Sequence, residues 1–137
     1  MKVLAMYTDE FSYHPAEKNL DDAEEITEGA TFRDSIVAFI QVEQSDEQYD
    51  VKSREKKLVN HLKWVSRKNN CKQVILHSFA HLGESKASST YSKAVFDAAE
   101  KRLQNADFTT AQTPFGYFLD LSLKAPGYSL ARIWASL

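Results

Sequence analysis

His81 is the side chain in this sequence best placed to do chemistry. It closes the run Val74-Ile75-Leu76-His77-Ser78-Phe79-Ala80-His81, where an apolar strand passes into a short polar turn. The following Ser85-Lys86-Ala87-Ser88-Ser89-Thr90 is rich in helix-capping residues. A helix starting there would offer free amides and the positive end of its dipole to an anion or carboxylate, with His81 beside the pocket.

Other candidates are weaker. His77 and His81 have the i,i+4 spacing that puts two imidazoles on one metal in a helix, but Val74-Ile75-Leu76 makes His77 the end of a strand, and further ligands are missing. His14 and His61 stand without a local constellation. The pairs Asp21-Asp22 and Glu24-Glu25 read as a solvated surface. There is no Gly-x-Ser-x-Gly elbow, phosphate-binding glycine loop or dinucleotide fingerprint. Pro114-Phe115-Gly116-Tyr117 is a tight turn whose two aromatics either plug the core or wall a small pocket near the Phe79-Ala80-His81 strand end.

The elements that must position these residues alternate along the chain. Lys2–Thr8 reads as a first strand, and 9–34 as a polar, acidic region with a short strand at Tyr13-His14-Pro15. Ser35–Val42 is almost continuously apolar, as a central strand covered on both faces would be. Leu58, Val59, Leu62 and Val65 follow helical spacing between Asp50 and Asn69, with a basic, solvated opposite side. A second helix spans Ser89 to Asn105. Asp107–Ala111, Tyr117–Leu123 and Tyr128–Ser136 read as strands, the last two paired as a hairpin. The sum is one domain over residues 1–137, an α/β fold with a mixed sheet and two main helices.

Composition agrees. A chain of 137 residues with 43% hydrophobic content can build a core without staples. A net charge of -2 and a pI near 6.1 exclude nonspecific DNA coating and confine any nucleic-acid contact to a local patch or strand end. The lone Cys71 has no partner for a disulfide, and the N-terminal apolar run is too short for a signal peptide or membrane span. Both point to the cytoplasm.

Four separated segments, in order, resemble the N-terminal editing domain of archaeal-type threonyl-tRNA synthetase, whose fold is related to the D-aminoacyl-tRNA deacylases. They are Lys2-Val3-Leu4 with Asp9, Val37-Ala38-Phe39-Ile40-Gln41-Val42-Glu43, Ser78-Phe79-Ala80-His81-Leu82, and Pro114-Phe115-Gly116-Tyr117. The resemblance implies hydrolysis of the ester joining misattached serine to the terminal adenosine of threonine tRNA, with selectivity from excluding the extra methyl of threonine. It makes His81 the active-site histidine and Val42 and Ala80 pocket walls, with Phe79, Phe115, Gly116, Tyr117, Phe118 and Leu119 completing the substrate-binding set. It implies no metal or organic cofactor, the 3′ end of an aminoacyl-tRNA as partner, and a homodimer. With no synthetase region attached, action would be in trans.

Two positions depart from the family. Phe118 and Leu119 stand where it has a tyrosine and a catalytically important lysine, and Arg132 stands where it has a glutamate. One expectation is that Arg132, from a neighbouring strand, supplies the lost positive charge, with Lys124 a weaker substitute on the opposite face. Others are a binding module that no longer hydrolyses, or a deacylase for a different aminoacyl group.

Overall fold

The computed structural model describes residues 1–137. In chain order the elements are β1 (Lys2–Lys18), β2 (Ala30–Gln41), α1 (Val51–Asn69), β3 (Gln73–Ser78), α2 (Ser89–Asn105), β4 (Thr109–Gln112), β5 (Tyr117–Lys124) and β6 (Arg132–Ser136). All six strands form one sheet in the order β4-β3-β2-β1-β5, with β6 also on β1. The mixed α/β architecture with two main helices is as expected.

β2, β3 and β4 run parallel, so each junction needs a crossover, and α1 and α2 provide them. Crossovers of one hand that step the same way along a sheet leave both helices on one face. Leu58, Leu62 and Val65 of α1 and Val95, Phe96 and Leu103 of α2 accordingly share a core with Val3, Ile36, Ala38, Ile40, Val74 and Leu76. α1 is capped at its start by Asp50, which accepts from the Ser53 N–H at 2.7 Å, and stopped by Asn70 at φ 48°. The other face of the sheet carries Phe11, Val37, Phe39 and Ile75, with Leu4, Met6, Phe32 and Phe79 against them.

Three expectations are corrected. The region after Thr8 is not mainly loop: β1 continues to Lys18 and pairs with β2 from Lys2–Gln41 to Tyr13–Ala30. Phe11, Tyr13 and Pro15 alternate with polar residues, which is a strand pattern despite the surrounding acids. β5 and β6 do not form a hairpin. β5 lies along β1 from Lys18 to Glu10 and β6 from Met6 to Lys2, so the chain continues in one direction beside a single long partner. β4 starts at Thr109, because α2 ends at Asn105, Ala106 caps it and Asp107 takes φ 66°.

Candidate active site

β2 and β3 are parallel neighbours, so their carboxyl ends lie together, and the turn bearing His81 leaves β3 there. Gln41, at the end of β2 and 3% exposed, holds that turn. Its Oε1 accepts from the Leu82 N–H at 2.6 Å, and its Nε2 donates to the carbonyls of Ser85 at 2.7 Å and Gly83 at 3.1 Å. Phe79 N–H donates to the Ile40 carbonyl and Ala87 N–H to that of Val42, both at 2.9 Å. His81 itself is exposed, its ring edge-on to Phe79 at 4.9 Å between centroids. A rigid base thus presents a solvent-facing imidazole, with Val42 buried at the root of the turn and Ala80 exposed beside His81.

The anion pocket expected at the start of α2 is already occupied by the protein. Ser88 caps the helix, accepting from Tyr91 N–H at 3.2 Å, while its own N–H donates to Glu47 Oε2 at 3.1 Å and its hydroxyl to Glu47 Oε1 at 3.2 Å. A carboxylate from the chain satisfies the helix terminus.

His77 is a buried strand residue, with its ring against Phe39 at 5.1 Å and Phe79 at 5.7 Å. Its Nδ1 is 2.8 Å from the Thr113 hydroxyl, and its Nε2 has no partner. Burial holds its pKa down to about 4, so the ring is neutral at pH 7. The His77–Thr113 contact joins the strand under the His81 turn to the connection leading into Phe115.

That connection faces a different neighbour from the one expected. Phe115 packs on Phe96, with ring centroids 6.1 Å apart. Gly116 has φ 87°, and a Cβ there would lie 2.9 Å from the Ala23 side chain. The Tyr117 hydroxyl donates to the Glu24 carbonyl at 2.6 Å and accepts from the Ile26 N–H at 3.1 Å. Gly116 and Tyr117 therefore anchor the β1–β2 connection. Phe115 and Thr113 line a cavity of about 740 Å³ with Tyr13, Ala23, Lys93 and Asp97, and His81 is not among its lining residues. Phe118 is half exposed, and Leu119, half-buried, pairs with Pro15.

The relation expected between Leu119 and Arg132 is not found. Leu119 sits opposite Pro15 and Arg132 opposite Met6, nine positions along β1. At strand rise this is about 30 Å. Arg132 is exposed and donates from Nη2 to the Pro126 carbonyl. The only register shift in the β1–β5 pair falls between Pro15 and Lys18, so no bulge brings Lys124 to the face of Leu119. Gln41 and the His77–Thr113 pair were missed; the signal for Gln41 was one amide inside the apolar run Ile36–Val42.

Comparison with known proteins places this arrangement. Among solved structures, the c-Myc DNA Unwinding Element Binding Protein superposes with a TM-score of 0.66 at 10% identity, covering 100% of this chain and 99% of that one, a likeness of fold alone. The fold is of the D-aminoacyl-tRNA deacylase type. The model of the archaea-specific editing domain of threonyl-tRNA synthetase matches residues 1–137, and the chain belongs to that family, whose role is tRNA editing. Threonine–tRNA ligases of Thermococcus onnurineus and Nitrosopumilus maritimus are 29% and 27% identical over 97% and 96% of this chain. The chain spans 22% and 21% of their lengths.

Proposed function

We propose that the chain hydrolyses the ester of mischarged seryl-tRNA for threonine, acting in trans in the cytoplasm. The observation that carries this reading is an exposed His81 on a turn that buried Gln41 holds at three backbone points. Water attacks the ester carbonyl, the bond to the terminal ribose oxygen breaks, and that oxygen receives a proton. His81 orients the water or the substrate, and Val42, Phe79 and Ala80 wall the serine side chain so that the threonine methyl is excluded. Phe115 lines a separate cavity, tied to the strand below His81 by the Thr113–His77 contact, and Leu119 lies beyond it opposite Pro15. Arg132, nine positions along β1 from Leu119, does not replace a cation at that position.

A homodimer fits the helix-free face of the sheet. Trp134 is 56% exposed opposite Leu4, and Leu121 and Leu123 are exposed opposite Tyr13 and Phe11, a row that a second copy would cover.

Leu119 favours a second reading, in which the chain binds the aminoacyl end without cleaving it. Ester hydrolysis followed on seryl-tRNA separates the two: binding without turnover identifies the second. Turnover across a panel of charged tRNAs with no preference for serine points to a different aminoacyl substrate.

A further inference from the structure

α1 carries seven cations, Lys52, Arg54, Lys56, Lys57, Lys63, Arg67 and Lys68, against the one carboxylate of Glu55. The chain as a whole has a net charge of -2, so this +6 helix sits on a remainder of -8. Arg54 and Glu55 are buried and engaged, Arg54 with Asp46 and Glu55 with Arg102. None of the other six cations forms an ion pair. At 100° per residue, Lys52, Lys63, Lys56 and Arg67 fall within an arc of about 60° on one flank of the exposed half of the helix, with Lys57 and Lys68 on the other flank. A helix that kept its cations only for solubility would intersperse acids among them; this one leaves its outer face at one sign.

The stripe also has direction and an aromatic. α1 runs back along the sheet between β2 and β3, so its start is at the His81 end and its finish at the other. Lys52 to Arg67 covers about 22 Å of helix. Trp64 is 37% exposed between the two flanks, with Lys68 Nζ 5.8 Å from its ring centroid and His61 stacked on it at 6.1 Å. Spaced cations around an exposed ring fit a sugar–phosphate backbone with a base or ribose to stack. A lipid surface would demand an apolar face beside the cations, and Trp64 alone does not make one.

We infer that the outer face of α1 is the docking strip for the phosphate backbone of tRNA, leading its 3′ end to the His81 turn. The inference rests on the tRNA reading above and adds the surface that holds the body of the molecule. Phosphate contacts position without reading sequence, so the strip supplies affinity and the pocket supplies selection.

The test measures the affinity of the intact chain for uncharged threonine tRNA across a salt series, for wild type, for Lys56→Ser with Arg67→Ser, and for Arg33→Ser with Lys101→Ser as an equal charge change elsewhere. All four side chains are exposed. The α1 pair weakens binding about tenfold and lowers the slope of log affinity against log salt by one to two, and the control pair stays within about twofold. Equal losses in both pairs overturn the strip, as does wild-type binding to phosphatidylserine vesicles with none to tRNA. Hydrolysis of a seryl ester on a short 3′-end oligonucleotide is measured alongside. No hydrolysis with the α1 effect intact removes the editing reading and keeps the strip; hydrolysis without the α1 effect does the reverse.

Discussion

The side chain of Gln41 accepts a hydrogen bond from the backbone N–H of Leu82, the residue after His81, at 2.6 Å. The same carboxamide donates to Gly83 and Ser85, so one buried residue of β2 fixes the path of the turn after β3. Gln41→Leu keeps the volume and removes all three bonds. It is expected to cost about 1–3 kcal/mol in denaturant unfolding and to lower turnover about tenfold through misplacement of His81. Gln41→Glu keeps the acceptor for Leu82 and should fall between. Full activity in Gln41→Leu would remove the positioning role.

Burial lowers the His77 pKa from 6.5 to about 4. Between these values the unfolded chain holds a proton that the folded chain lacks, so stability is complete above pH 6.5 and declines as pH falls toward 4. The loss approaches about 3 kcal/mol at the acid end. Chemical denaturation at pH 7 and pH 5 should show the decline in wild type and a shallower one in His77→Phe, where His61, also lowered by burial, still contributes in the same direction.

Gly116 combines φ 87° with a close approach to Ala23, so both backbone and space exclude a side chain. Gly116→Ala is expected to cost about 1–3 kcal/mol and to open the 19–29 connection to protease, read by the rate of limited proteolysis. Tyr117→Phe, which removes the bonds to Glu24 and Ile26, should produce a milder version.

Much of this was legible in the residues. The helical spacing of Leu58, Val59, Leu62 and Val65 and the apolar run of β2 placed the core, because burial repeats at a fixed period in each element. The strand end before His81 was equally plain. What failed was long-range: whether β5 and β6 pair with each other or with β1 depends on the length of β1, and the acids around Phe11 and Tyr13 masked that length. The same error put Arg132 beside Leu119. Glu47 at the cap of α2 lies 41 residues from Ser88, a contact no local pattern reveals.

The position of Leu119 therefore has its own prediction. Arg132→Ala should leave turnover within about twofold, because its exposed guanidinium donates to the Pro126 carbonyl. Leu119→Lys, opposite Pro15 and so farther than Arg132 from the Lys2–Gln41 end of β1, should likewise leave turnover within about twofold, and parallel single-turnover assays would show both. A tenfold or greater loss in Arg132→Ala would instead place that cation at the reacting ester.

The central claim is tested most directly by incubating the purified chain with separately prepared seryl- and threonyl-tRNA for threonine and following ester loss beside His81→Ala. The account predicts rapid loss of serine, retention of threonine, and slowing by the substitution. Loss of neither ester above the buffer rate, or equal loss with His81→Ala, would contradict it.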